Sequence, residues 1–419
     1  MRPIPVAALT LGSLLAAASL TSAEVALTLV ECVSRALATI PKLAQAAATV
    51  NLSAAQRQET AASLLPSLRA DIQYLQEPGY RQAITDRGLS AAQLIADYLV
   101  YDGGRRASQL HAARFAEQAS QFGFAAARNQ VVFETTAAFY SLIHASQIAR
   151  ELQASTQRLS RYTAVVQALR ESGRAAASDV LRIDVILRDS RVQLNAALHD
   201  RARASLALGA LVGEYGRDNI VVSEPQADAV PSSSATVDSS PALGALERSR
   251  ASAGAGLQAA SAERYPTLKM ELTAGFLGTD PPSTIRDYGG ASYGALLSIP
   301  LFEGGAIRAR IDQARARVVE SEAQLAQARI DLTEHLAEVR SRYDEARHAL
   351  ALLQESMPAA EGSFQLSWSR FLGGGNVTML EVIDSYNQSL ATRLGVADQQ
   401  FALRQEAAEI TLLTATGYQ

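Results

Sequence analysis

The sequence predicts a mainly α-helical fold with a small membrane β-barrel, built from two tandem repeats of helix, strand, strand, long helix and helix. Three observations predict it. Landmarks in the first half recur in the second at a nearly constant offset. Each half holds two segments that alternate apolar and polar residues. Each half also holds a helical stretch of about seventy residues, too long to stand without partners.

The repeat is read from four pairs of landmarks. Pro66-Ser67-Leu68 recurs as Pro266-Thr267-Leu268, and Tyr101-Asp102-Gly103-Gly104 as Phe302-Glu303-Gly304-Gly305. Ser178-Asp179-Val180-Leu181 recurs as Leu380-Glu381-Val382-Ile383, and Leu211-Val212-Gly213 as Ala415-Thr416-Gly417. The order is kept and the offset runs from 200 to 204. The expected division is a signal peptide over 1–23, a first repeat over 24–215, a linker or equatorial segment over 216–241, and a second repeat over 242–419.

The signal comes first. Arg2 supplies a positive start, Val6 to Leu20 is apolar, and Thr21-Ser22-Ala23 offers a cleavage site before Glu24. The single cysteine, Cys32, lies beyond that site and lacks the neighbours of a lipid anchor, so it is expected to pack on a helix. With one cysteine no internal disulfide is possible.

In each repeat a first helix follows, roughly Thr28–Leu64 and Ala242–Arg264. Pro66 and Pro266 end them, because proline lacks an amide donor and biases the residue before it to extended backbone. The strands are expected over 67–76 and 92–101 in the first repeat and over 267–277 and 291–301 in the second. Leu68, Ala70, Ile72 and Tyr74 alternate with Arg69, Asp71 and Gln73; Leu268, Met270, Leu272, Ala274 and Phe276 alternate with Lys269, Glu271 and Thr273. One face is thus apolar, joined by Tyr98, Val100, Tyr293, Leu297 and Ile299, and the other is charged. Lipid outside and water inside satisfy both. Past the signal, no apolar run approaches the ~20 residues a spanning helix needs, so any crossing must use strands. The connecting segments, 77–91 and 278–290, carry Pro78-Gly79, Asp280-Pro281-Pro282 and Gly289-Gly290. They read as loops outside the cell.

The glycine pairs Gly103-Gly104 and Gly304-Gly305 are the expected hinges from barrel to helix. The long helices then run from Gly104 to Gly173 and from Gly305 to Gly375, with Pro358 as an expected kink or local break in the second. Ile311, Val318, Leu325, Leu332, Val339, Ala346 and Leu353 fall seven apart, with small residues Ala314, Ser321 and Ala328 between them. That period belongs to supercoiling helices. Glycine-bearing tips near 171–178 and 372–378 reverse the chain into return helices, Asp179–Leu211 and Thr378–Leu413.

Four strands cannot close a barrel, since the smallest outer-membrane barrels use about eight. A trimer supplies twelve.

The ordered set Leu64-Leu65-Pro66-Ser67-Leu68, Tyr101-Asp102-Gly103-Gly104 and Pro300-Leu301-Phe302-Glu303-Gly304-Gly305 resembles the outer membrane efflux protein family of TolC-like channels. So do the two tips, where Gly173 precedes Asp179 by six residues and Gly375 precedes Glu381 by six. The resemblance spans nearly the whole chain past the signal. It implies a TolC-like α/β barrel and a homotrimer whose twelve strands sit in outer-membrane lipid above a periplasmic helical tunnel. It also implies partners: a periplasmic adaptor and an inner-membrane pump of RND, ABC or MFS type, in efflux or type I secretion. No cofactor or metal is implied.

The resemblance places Ser178 and Asp179 at the inner edge of a closed tip, where three copies of Asp179 form an acidic, cation-attracting ring. Both also suit a helix N-terminus. Val377 stands where a basic gating residue is expected, and Arg174 or Arg182 are the substitutes. Gly173, Val180, Gly375 and Val382 are the expected adaptor contacts, with turn and core roles as the alternative. Trp368 is either a docking aromatic or a packed helix residue. The five histidines are scattered and no glycine pair leads into a phosphate loop, so the expected role is a passive duct, not an enzyme. The net charge of −4 argues against nucleic acid. The competing reading is a non-channel periplasmic coiled-coil adaptor or scaffold, disfavoured because those carry one helical hairpin rather than two.

Overall fold

A computed structural model describes residues 26–76, 88–225, 234–279 and 289–415. The expected export signal, most of both strand-connecting loops, the middle of the linker and Thr416-Gly417 lie outside the described residues.

The first helical stretch is two helices, α1 (Leu29–Thr39) and α2 (Pro41–Ala62), rather than one. The break is at Ile40, because Pro41 starts a helix readily but cannot donate within one. Thr28 and Glu31 exchange hydrogen bonds in a capping box at the start of α1. Strands β1 (Ser67–Gln76) and β2 (Gly88–Tyr101) lead to the long helix α3 (Arg105–Glu171) and the return helix α4 (Ala177–Val212). The second repeat gives α5 (Pro241–Ala262), β3 (Thr267–Thr279), β4 (Gly289–Ser298), α6 (Ala306–Leu372) and α7 (Met379–Thr414). The duplication is visible in the lengths: α2 and α5 have 22 residues each, α3 and α6 have 67 each, and α4 and α7 have 36 each. At 1.5 Å per residue the long helices reach about 100 Å.

Four strand limits differ from the pattern. β2 begins at Gly88 rather than 92, β3 runs to Thr279 rather than 277, β4 begins at Gly289 rather than 291, and β4 stops at Ser298, short of 301. Pro300, which has no amide hydrogen for a ladder, accounts for the last. Pro358 does not break α6, which stays helical through it.

The strands form one antiparallel sheet in the order β1-β2-β3-β4. Leu68 opposes Ala96, Ala96 opposes Leu272, and Leu272 opposes Tyr293, so the apolar residues share one face. That face is bare in the single chain, with Ile72 85% and Tyr293 90% exposed. On the other face Asp97 sits between Arg69 and Lys269; Lys269 is 2.7 Å from Asp97 and 3.4 Å from Glu271, and Arg69 is 3.1 Å from Asp71.

The helices form a layer with two unpartnered edges. Nearer the sheet, α2 packs on α3, α3 on α5 and α5 on α6; farther away, α4 packs on α3, α3 on α7 and α7 on α6. Burial along α6 follows the heptad stripe: Ala314, Val339 and Ala346 are buried, and Ile311, Val318, Leu325, Leu332 and Leu353 are half-buried. Around the middle, Cys32, Phe139, Leu142, Leu208 and Ile220 form one core and Val237, Leu243, Leu336, Val339 and Ile410 another. The Cys32 thiol is fully buried, and burial pushes its pKa up to about 11. Ile220 and Val237 come from the segment read as a linker, so its two ends are docked. Leu27 pairs with Val222 as an isolated parallel bridge.

Candidate functional site

Two regions concentrate the predicted residues: the hinges, where sheet meets helix, and the tips, where the long helices reverse.

At the hinges, Gly103 and Gly104 have φ of +65° and +84°, and Gly304 and Gly305 have +58° and +88°. Only glycine adopts this left-handed backbone without strain. Pro66 and Pro266 stand just before β1 and β3. A feature that the sequence reading missed lies beside the first hinge. Asp102 and Arg106 are both buried and form a 2.9 Å ion pair. The Asp102 carboxylate also accepts from the amides of Gly104 and Arg106. Arg106 donates to the carbonyl of Ser63 at 2.6 Å and to that of Leu99, so it ties the end of α2 to β2 and to α3. Burial pushes the Asp102 carboxyl up, but the Arg106 and Gly104 donors outweigh it and hold its pKa below the usual value. The second repeat builds the joint differently. Ile307 replaces Arg106, and Arg310 bridges Glu303 at 2.9 Å and Glu263 at 2.5 Å on the exposed surface.

At the first tip, Gly173 (φ +74°) closes α3, with the Arg174 amide donating to Leu169 at 2.8 Å. At the second, the left-handed residue is Gly374 (φ +74°), not Gly375. Gly375 takes the place of Arg174, its amide donating to Arg370 at 2.9 Å. An additional residue follows before α7, so the expected six-residue match of Gly173–Asp179 with Gly375–Glu381 is shifted by one.

Asp179 and Glu381 do occupy equivalent positions, the third residue of α4 and of α7. The Asp179 carboxylate accepts from the Ala176 amide at 3.0 Å, whereas in α7 the Glu381 amide donates to the Thr378 hydroxyl at 3.3 Å. Each helix thus uses one half of a capping box. Ser178 is exposed one residue past the helix start and is not the capping residue. Arg182 is exposed on α4. Arg174 reaches across: its guanidinium donates to the Leu372 carbonyl at 2.7 Å, joining one tip to the other. The favourable end of the α6 dipole lies there as well.

Beneath the surface the tips share a core of Leu159, Val166, Ile183, Phe364, Met379 and Val382. Val382 is only 4% exposed and Val180 is half-buried against the same core. Val382 therefore shapes the tip from within, because it presents almost no surface to a partner. Exposed apolar residues in the opening turns of the return helices are Leu181 and Val185 on α4 and Leu380 on α7. Trp368 is packed, its ring 4.4 Å from Tyr162 and 6.0 Å from Phe371. Phe364 contacts Tyr162 and Tyr386, and the Tyr386 hydroxyl donates to the Ser155 carbonyl at 3.2 Å. This aromatic cluster joins α3, α6 and α7; its members are too far apart in sequence to be read as one motif. Among the described residues, no group of three or more His, Cys, Asp or Glu is placed to hold a metal, and no helix is long and apolar enough to cross a membrane.

Comparison with known proteins matches residues 32–214 and 233–417 to the family described as outer membrane efflux protein. The outer membrane efflux protein BepC of Brucella suis is 23% identical over 76% of this chain and 70% of its own length. The cation efflux system protein CusC of Escherichia coli O157:H7 is 26% identical over 64% of this chain, and the match spans 60% of CusC, under two thirds of it. A crystal structure of a membrane protein from Pseudomonas aeruginosa shares the fold at a TM-score of 0.83 and 19% identity, covering 92% of this chain and 93% of that one.

Proposed function

Because the chain belongs to the outer membrane efflux protein family, we propose that it is one subunit of a homotrimeric duct that carries solutes out through the outer membrane. This favours the channel over a coiled-coil adaptor. One observation carries the reading: the unpartnered edges lie on matching sides of the molecule. β1, α2 and α4 bound one side, and β4 and α6 bound the other. A head-to-tail contact of unlike edges generates a ring when the rotation closes. Three copies give twelve strands with apolar residues toward lipid and Arg69, Asp97 and Lys269 toward water. The long helices then extend about 100 Å into the periplasm, where the tips meet an adaptor and, through it, an inner-membrane pump. Residues 1–23 are proposed to direct export. BepC and CusC carry efflux in their names, which supports an efflux role ahead of type I protein secretion.

The test is direct. The mature protein in detergent is expected to elute as a trimer and to conduct ions across a planar bilayer. A water-soluble, non-conducting monomer overturns the proposal.

Two predictions concern the tips. Arg174→Ala removes the bond to the Leu372 carbonyl, worth about 1 kcal/mol. It is expected to raise the open fraction of single channels several-fold; unchanged gating traces deny Arg174 the role of a latch. Asp179→Ala removes three charges per trimer and is expected to weaken cation preference. Reversal potentials under a salt gradient read this out, and values equal to those of the parent protein reduce Asp179 to its capping bond.

A further inference from the structure

The interface within one chain, between its first and second repeats, serves as a template for the interface between chains. Residue numbers map between the repeats by the structure's own register. Leu68 opposes Ala96 in the first hairpin and Leu268 opposes Leu297 in the second, so β1 maps onto β3 by a shift of 200 and β2 onto β4 by a shift of 201. The repeats meet where β2 pairs with β3, with Ala96 opposite Leu272 and Leu94 opposite Ala274. The same repeat-to-repeat step taken from one chain to the next carries β2 to β4 and β3 to the β1 of another copy.

We infer that β4 pairs antiparallel with β1 of the next copy, with Leu297 opposite Ile72 of the partner subunit and Ala295 opposite Tyr74 of the partner subunit. This rests on the ring proposed above and adds its register. Parity agrees: all four residues lie on the apolar face, whereas a shift of one would set an apolar side chain against the charged face. Both edge strands are exposed along their whole length, as strands awaiting a neighbour are.

The hinges give an independent check. Within the chain, a Cβ on Gly103 would lie 2.6 Å from Cβ of Tyr265, so the second repeat crosses directly over the first hinge. The mapped pair is Gly304 and Leu65. Gly304 has the same left-handed backbone, a Cβ there would meet no atom within 4 Å in its own chain, and Leu65 is 67% exposed. Leu65 of the partner subunit seats over Gly304 as Tyr265 seats over Gly103.

Cys32 is the only cysteine, so a Cys32→Ala background makes the register testable by cross-linking. Ile72→Cys with Leu297→Cys, and separately Tyr74→Cys with Ala295→Cys, are expected to give covalent trimers under mild oxidation, because each chain carries both halves. Ala96→Cys with Leu272→Cys is the intrachain control. The diagonal pairs, Ile72→Cys with Ala295→Cys and Tyr74→Cys with Leu297→Cys, lie about 7–8 Å apart, beyond the reach of ~4.4–6.8 Å typical of a disulfide. They are expected to couple at least tenfold more slowly. Diagonal pairs coupling as fast as the in-register pairs, or in-register pairs failing in a protein that elutes as a trimer, overturn the register and leave the channel proposal standing. Elution as a monomer overturns both.

Discussion

Replacing Arg106 with alanine is expected to loosen the first hinge by about 3–5 kcal/mol, the usual cost of removing one partner of a buried ion pair. The side chain is almost fully buried and serves three acceptors on three elements: Asp102, the Ser63 carbonyl and the Leu99 carbonyl. Its loss leaves a buried carboxylate held by amides alone and two partly buried carbonyls without their donor. The readout is the temperature at which the trimer dissociates, with Arg106→Lys as the intermediate case, since an ammonium cannot reproduce the planar fork. Acid supplies a second readout. Asp102 has a lowered folded-state pKa, so the stability it contributes is complete above the ordinary aspartate range and is lost as pH falls through the lowered value. The gap between parent and Arg106→Ala should therefore narrow on acidification. A variant that melts with the parent at every pH contradicts the clamp.

At the other end of the molecule, Phe364→Ala is expected to destabilise the tips by about 3–5 kcal/mol. Phe364 is 8% exposed, and its ring lies 5.7 Å from Tyr162 and 5.2 Å from Tyr386. Truncation opens a cavity exactly where α3, α6 and α7 meet, while the sheet and hinges are untouched. Limited proteolysis should then cut near 171–178 or 372–378 at least tenfold faster, and single channels should dwell longer in open levels. Phe364→Leu keeps most of the volume and should recover most of both. Cleavage rates equal to the parent's would show that the tips do not depend on this cluster.

Much of the architecture was legible because it depends on local or strictly periodic signals. Alternation in β1 and β3, the glycine hinges, the heptads of α6 and the repeat offsets each follow from backbone geometry alone. What was misread involved competing local signals. Pro41 splits the first helix because a proline that ends one helix can start the next. Pro358 looked like a breaker, yet the packing of α6 along its length keeps it helical. In Gly373-Gly374-Gly375 three candidates compete for one left-handed position, and spacing alone chose the wrong one. What was missed is non-local. Arg106 finds Ser63 across 43 residues, Arg174 finds Leu372 across 198, and Tyr386 finds Ser155 across 231. For Val382 the sequence left contact and core roles both open, and only the packing of the two hairpins decides for the core.

The unlike ion pairs at the two hinges give the proposed ring joints of alternating stiffness. Arg106 and Asp102 interact away from water, whereas Arg310, Glu263 and Glu303 sit where salt screens them and weakens the pairing. Around three copies the rigid and compliant corners alternate. Raising the ionic strength would then loosen every second corner of that ring and leave the others intact.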